Sequence, residues 1–279
     1  GNEDKGIDIS EIYHLDFILD GILSRVVKES GGKDALIIII PTASSIPEEV
    51  GENYLLAFGK LGCSNLHVMD IREREQSENK DNIALMKKAS CVMFSGGNQS
   101  NITEKIGGTS LHKIMMDRYR NEVFVIAGTS AGAMCMSAEM ITGGGIKEAF
   151  TKGATGMGSG MGFIPGLIID SHFIRRGRFG RLAEAVSKFP KIIGIGLAED
   201  TGLIIKNNSF EVIGSGMVIV FNARKAKHNN RSIVPEGSPM SLTNLKTHIL
   251  ANGDRFNIKK DRIKVSPRDQ VLTDANPLS

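Results

Sequence analysis

Residues 123–137, VFVIAGTSAGAMCMS, decide how this chain is read. An apolar run with β-branched and aromatic side chains ends in Gly128-Thr129-Ser130-Ala131-Gly132, and small, helix-compatible residues follow. The pattern predicts a strand turning directly into a helix, with one serine between two glycines at the corner. G-x-S-x-G in that context is a nucleophile elbow: the glycines permit a tight, strained turn, and the helix start leaves backbone N–H groups free to meet an oxyanion. A phosphate-binding turn or a plain left-handed connection is spelled with the same letters, so the rest of the chain must decide.

Outward from the elbow, apolar runs alternate with amphipathic stretches. ALIIIIPTAS (35–44), NLHVMDI (65–71), CVMF (91–94) and EVFVIAG (122–128) read as strands. PEEVGENYLLAFGKLG (47–62) has a proline near its start, acids in its first turn and a glycine stop, and reads as a helix. NIALMKKAS (82–90) and GTSLHKIMMDRYRN (108–121) are two more. Strands without polar alternation, each followed by a helix, predict an α/β fold with a mostly parallel sheet covered on both faces. Past residue 190, KIIGIGLAEDTGLIIKNNSFEVIGSGMVIVFNA (191–223) carries short strands and Asn-Asn and Gly-rich turns, which predict antiparallel C-terminal strands. We expect one domain over residues 1–279, with a more polar tail after about residue 255.

Composition narrows the function. A net charge of +3, from 34 basic and 31 acidic residues, provides no electrostatic footprint for nucleic acid. The longest apolar runs are too short to cross a bilayer. Cys63, Cys91 and Cys135 are too few and too scattered for a disulfide framework or a zinc site, and their apolar settings predict reduced, buried thiols in a reducing, cytoplasmic compartment. No metal-ligand spacing occurs and no G-x-G-x-x-G follows a strand, so no cofactor is expected.

Three further places can carry chemistry. FSGGNQ (94–99) also ends an expected parallel strand, where ligands of open α/β sheets gather, and the Gly97 N–H is a candidate oxyanion donor beside that of Ala131. In IIDSHFIRRGRFGRLAEAV (168–186), His172 follows an apolar run and precedes Arg175, Arg176, Arg178 and Arg181, side chains suited to gripping carboxylates. The plainer alternative is that these arginines pair with acids such as Glu184. In GLAEDTGLII (196–205), Glu199 and Asp200 interrupt an apolar stretch and are either a solvated turn or partners for a histidine. Ser130, His172 and Glu199 together supply nucleophile, base and orienter in the order Ser–His–acid. The α/β-hydrolases run Ser–acid–His, so a different fold is indicated.

FSGGNQ, GTSAGA (128–133), DSHFIRRGRFGRL (170–182) and GIGLAEDTG (194–202), with GNEDKG (1–6) and IIPTASS (39–45), resemble the cyanophycinases, serine peptidases of the S51 type. The resemblance spans most of residues 1–220. It implies a three-layer, flavodoxin-like α/β sandwich related to the class I glutamine amidotransferases, and commonly a homodimer. It also implies hydrolysis of the β-aspartyl-arginine linkages of cyanophycin, a poly-aspartate with arginine side groups, to β-Asp-Arg dipeptides. By this match Ser130 is the nucleophile, His172 the general base and Glu199 the third member, while Gln99, Asp170, Arg176, Arg178 and Arg181 shape the substrate pocket. Asp170 or Asp200 would meet a substrate guanidinium. Two departures stand out: Ser171 takes the place of the family's usual glutamine, and the strand that normally precedes the GNEDKG segment is not in the sequence given. Two rival readings are an aspartyl dipeptidase of the same superfamily and a non-catalytic module binding acidic peptides. HNNRSIVPEGSPMSLTNLKTHILANGDRF (228–256) reads as strands and turns without obvious chemistry.

Overall fold

The computed structural model describes residues 21–145 and 150–266. The expectations that fall on GNEDKG and on residues 267–279 lie outside them. In chain order the first half is α1 (Ile22–Glu29), β1 (Ile37–Ile40), α2 (Pro47–Lys60), β2 (Leu66–Val68), a 3-10 turn (Arg74–Glu78), α3 (Lys80–Met86), β3 (Cys91–Phe94), α4 (Gln99–Ile106), α5 (Ser110–Asn121), β4 (Val125–Gly128) and the short α6 (Ala131–Met134). The second half is β5 (Glu139–Gly143), β6 (Gly156–Ser159), β7 (Leu167–Asp170), α7 (Phe179–Lys188), β8 (Ile193–Leu197), β9 (Thr201–Lys206), β10 (Ser209–Gly214) and β11 (Val218–Asn222). It closes with β12 (His228–Asn229), β13 (Leu242–Thr243), β14 (Lys246–Leu250), β15 (Arg255–Asn257) and β16 (Arg262–Lys264).

The four isoleucines of β1 explain the layering. Ile37 and Ile39 enter one core with Val27 of α1 and Phe58 of α2, whereas Ile38 and Ile40 enter another with Ile102 of α4 and Leu111 and Met115 of α5. A strand with helices on both faces has no solvent side, so polar alternation vanishes. Each buried isoleucine contributes about 1.5–3 kcal/mol. Strands β2-β1-β3-β4 form a parallel four-stranded sheet in that order. The chain leaves β1 toward one edge and β3 toward the other, which opens a crevice at the strands' C-terminal ends. The loops after β1, β3 and β4 meet there.

The C-terminal half adds two more four-stranded sheets. One, ordered β14-β11-β8-β7, keeps a parallel β7–β8 pair and is otherwise antiparallel; the other, β16-β15-β10-β9, is wholly antiparallel. The expected α/β class with antiparallel C-terminal strands is therefore what the chain adopts, the parallel pairing being divided between two sheets. Details differ. The strand expected over 65–71 is confined to Leu66–Val68, α3 begins two residues earlier than expected, and α4 and the β5–β6 hairpin were not anticipated. Cys63, Cys91 and Cys135 are buried free thiols, and burial pushes the Cys91 pKa up to about 12. Among the described residues no helix is long and apolar enough to cross a membrane, and no group of three or more His, Cys, Asp or Glu could hold a metal ion.

Candidate active site

The elbow is built by close backbone approach. A Cβ on Gly128 would lie 2.5 Å from the Gly132 carbonyl carbon, and one on Gly132 would lie 2.4 Å from the Phe94 carbonyl oxygen. Only glycine fits where α6 folds back over β4 and β3. Ser130 is left at φ 48°, ψ −108°, and its carbonyl accepts from the Ala133 and Met134 N–H groups at 3.0 and 2.9 Å. Such a backbone costs about 1–3 kcal/mol and persists where its surroundings over-determine it. One pin comes from α2: the Tyr54 hydroxyl lies 2.6 Å from Thr129 Oγ1. No sequence signal marks Tyr54, because the contact spans 75 residues.

His172 follows β7 and also has a left-handed backbone, φ 51°. The next residue, Phe173, is fully buried against Gly196 of β8, where an added Cβ would meet its ring at 2.4 Å. The Phe173 N–H donates to the Leu197 carbonyl at 2.9 Å. Glu199 follows β8 in the turn to β9, half-exposed, with its own carbonyl accepting from Thr201 Oγ1. Three chain segments thus bring their side chains into line: Ser130 Oγ lies 3.1 Å from His172 Nε2, and His172 Nδ1 lies 3.2 Å from Glu199 Oε1. Ser171 Oγ lies 3.3 Å from Ser130 Oγ.

The Gly96-Gly97 turn stands beside the serine, since a Cβ on Gly96 would lie 3.5 Å from Ser130 Cβ. Gly97 has φ 133° and packs so tightly on the loop after β1 that a Cβ would sit 2.1 Å from the Ala43 carbonyl oxygen. Neither the Gly97 nor the Ala131 N–H donates to a backbone carbonyl among the described residues. Gln99 turns away into the scaffold, its Nε2 donating to the Ile141 carbonyl at 2.8 Å.

The arginines divide. Asp170 has no exposed surface, and both its oxygens are engaged: Arg181 holds it through two nitrogens, one at 2.7 Å, and Arg178 approaches at 3.3 Å. Arg178 also donates to the Ser171 carbonyl at 2.5 Å, clamping the backbone just before His172. Burial is the main cause that lowers the Arg178 pKa to about 10, with Asp170 opposing and Arg181 and Arg176 adding like charge; the guanidinium stays cationic at neutral pH. Asp170 therefore shapes the site through the arginines it holds and is closed to a substrate guanidinium, which leaves the exposed Asp200. Glu184 is not their partner. It accepts from the Gly153 and Thr155 N–H groups and lies 3.4 Å from Arg231. Arg175 is exposed and Arg176 half-buried.

An α/β fold presenting a serine at a strand–helix corner, with a histidine and a carboxylate in line behind it, has the arrangement of a serine hydrolase. Residues 17–213 match the model of Peptidase family S51, and the chain belongs to that family of serine peptidases. It is 37% identical over 239 residues to a cyanophycinase of Geminocystis herdmanii, covering 85% of this chain and 88% of that one. A cyanophycinase of Trichormus variabilis is likewise 37% identical, over 85% of this chain and 80% of its own. The fold is similar to that of a crystal structure of a peptidase from an acI-B1 Actinobacterium, with a TM-score of 0.62 at 20% identity, covering 86% of this chain and 91% of that one.

Proposed function

We propose that the chain is a cyanophycin-degrading serine peptidase with Ser130 as nucleophile, His172 as general base and Glu199 as its orienter. The observation that carries this reading is the Ser130–His172–Glu199 line at 3.1 and 3.2 Å. Ser130 Oγ attacks a substrate carbonyl carbon while His172 Nε2 takes its proton. The oxyanion rests on the Gly97 and Ala131 N–H groups. Collapse breaks the C–N bond, His172 returns the proton to the leaving amine, and water then hydrolyses the acyl-serine ester. Glu199 holds Nδ1–H and stabilises the imidazolium formed in each step.

Mass balance corrects which bond is broken. A β-Asp-Arg product retains its β-linkage, so the scissile bond is a backbone amide between aspartyl residues, not the β-aspartyl-arginine linkage. The substrate assignment is supported by the two relatives bearing the name cyanophycinase and by the arginine-rich segment after His172. In this reading Arg176 would face the carboxylate that each repeat carries, and Asp200 would face its guanidinium.

The test is mass spectrometry of products from insoluble cyanophycin, beside Ser130→Ala and with α-aspartyl dipeptides as alternative substrates. The parent protein releases β-Asp-Arg and Ser130→Ala, still folded by circular dichroism, does not. Cleavage of aspartyl dipeptides with cyanophycin left intact, or an active Ser130→Ala protein, would overturn the reading.

A further inference from the structure

Ser130 stands where a serine ordinarily caps the helix that follows it, yet its side chain makes no capping hydrogen bond to α6. The hydroxyl is turned instead toward His172 Nε2 at 3.1 Å and toward a second hydroxyl, Ser171 Oγ, at 3.3 Å. Ser171 is 6% exposed, and its hydroxyl has one other partner among the described residues: it donates to Met134 Sδ at 3.3 Å. Met134 is the last residue of α6, the short helix that the elbow starts. A thioether sulfur is a weak acceptor, and a hydroxyl has a single proton to give. Ser171 therefore divides one O–H between the oxygen of Ser130 and a poor competitor. Its position is fixed from both sides: Arg178 holds the Ser171 carbonyl at 2.5 Å, and the Phe173 N–H is tied to the Leu197 carbonyl at 2.9 Å.

We propose that Ser171 is a further catalytic residue, a hydrogen-bond donor to Ser130 Oγ that acts when this oxygen is the nucleophile and again when it is the leaving group. The role rests on the proposed reading of Ser130 as nucleophile. With Nδ1–H of His172 directed at Glu199, Nε2 takes the Ser130 proton. One lone pair of Oγ then bonds to the substrate carbonyl carbon, and another accepts from Ser171, which keeps its own proton throughout. As the Ser130 O–H bond breaks, negative charge gathers on Oγ. Hydrogen bonds to an ionised oxygen shorten to about 2.5–2.7 Å and are about twice as strong as neutral ones. The sulfur of Met134 gains no charge, so the shared proton moves to Oγ as the reaction proceeds. An interaction that strengthens toward the transition state is the kind that raises a rate. When water opens the acyl ester, the C–Oγ bond breaks and its electron pair returns to Oγ. His172 returns the proton there, and the same donor meets the departing oxygen. The separation of 3.3 Å exceeds the roughly 2.7–2.8 Å of an ordinary O–H···O bond, as suits a contact that tightens only under charge. The Gly97 and Ala131 N–H groups serve a different atom, the carbonyl oxygen of the substrate.

The experiment measures the second-order rate at which a fluorophosphonate labels the full chain, from pH 5 to 9, with the adduct located on Ser130 by peptide mass spectrometry. Ser171→Ala removes the donor, and Ser171→Cys nearly keeps the shape while replacing O–H by a weak S–H donor. A full oxyanion-hole donor is worth about 10²–10³ in rate, and for one shared with a sulfur we expect about tenfold. Both variants should therefore label about tenfold more slowly than the parent, with melting temperatures within a few degrees of it. The midpoint of the pH–rate profile should not move, because the base and its orienter are untouched. Labelling of Ser171→Cys at the parent's rate would reduce Ser171 to packing and overturn the proposal, as would an unchanged rate in Ser171→Ala. A fall in rate accompanied by a displaced midpoint would overturn it too, since Ser171 would then act by placing His172. A parent that is not labelled at all removes Ser130 as nucleophile and the role of Ser171 with it. A labelled parent with equally labelled variants sinks the proposal alone and leaves the peptidase reading standing.

Discussion

Three non-glycine residues at the candidate site, Ser130, His172 and Asp200, have φ of 48°, 51° and 49°. Each immediately follows, or lies within a few residues of, the C-terminal end of a strand, where the chain must turn sharply to present a side chain rather than bury it. Ser130 was legible because two flanking glycines advertise the turn; His172 and Glu199 were legible because a polar residue ending an apolar run needs a reason. Asp170 was not. Its full burial with Arg181 depends on α7 folding back over β7, and no local pattern separates an arginine that meets solvent from one that holds an internal carboxylate. At this scale Glu199→Gln is the informative change, since it keeps shape and removes the charge facing His172 Nδ1. By analogy with other triads kcat should fall about 10²–10⁴-fold. The melting temperature should stay within a few degrees, because the side chain is partly exposed. The labelling rate of Ser130 by a fluorophosphonate reads the same effect without any assumption about substrate, and an unchanged rate would remove Glu199 from the machinery.

At the scale of elements, the strands of the parallel sheet were readable from composition, whereas α4 was hidden. Its sequence, QSNITEKI, is rich in poor helix formers and starts directly after a glycine pair that reads as a turn. It forms because Asn98 Oδ1 caps the Ser100 N–H at 3.0 Å and Ile102 and Ile106 are fully buried, a tertiary gain that propensity cannot register. The β5–β6 hairpin was obscured by its glycines for a related reason. α5 carries a device with a pH consequence. His112 Nδ1 accepts the Gly108 N–H at 2.9 Å, and Nε2 meets the Met161 carbonyl at 2.8 Å, so the neutral ring with its proton on Nε2 ties α5 to the loop after β6. Burial lowers the His112 pKa, with the Met161 bond opposing. A folded-state pKa below the unfolded value of about 6.5 means that the unfolded chain takes up the proton first as pH falls. This contribution is present above pH of about 6.5 and is lost as pH drops through the folded value. Urea midpoints measured from pH 7.5 to 5 should decline more steeply in the parent than in His112→Gln, and parallel declines would refute the assignment.

For the whole molecule, the candidate triad is divided between two sheets. Ser130 follows β4 of the parallel sheet, while His172 and Glu199 follow β7 and β8 of the second. A separation of 3.1 Å between Ser130 and His172 therefore reports how accurately the two halves dock. Strand β5 is the wedge between them: Met140 packs into the core beneath the parallel sheet, Ile141 into the core of the C-terminal half, and the Ile141 carbonyl accepts from Gln99. Ile141 and Met115 are both fully buried, but Met115 lies on α5 in the same core as Ile38, Ile40 and Met140. Truncating either to alanine should cost about 2–5 kcal/mol of stability. Only at Ile141 does the resulting cavity lie at the joint, where a shift of a fraction of an ångström moves nucleophile relative to base. At 20 °C, with both variants mostly folded, Ile141→Ala should lose at least tenfold in the fluorophosphonate labelling rate of Ser130, and Met115→Ala less than threefold. Equal losses would mean that the triad geometry is set locally by the elbow and the His172 turn, and that the docking of the two halves merely tolerates it.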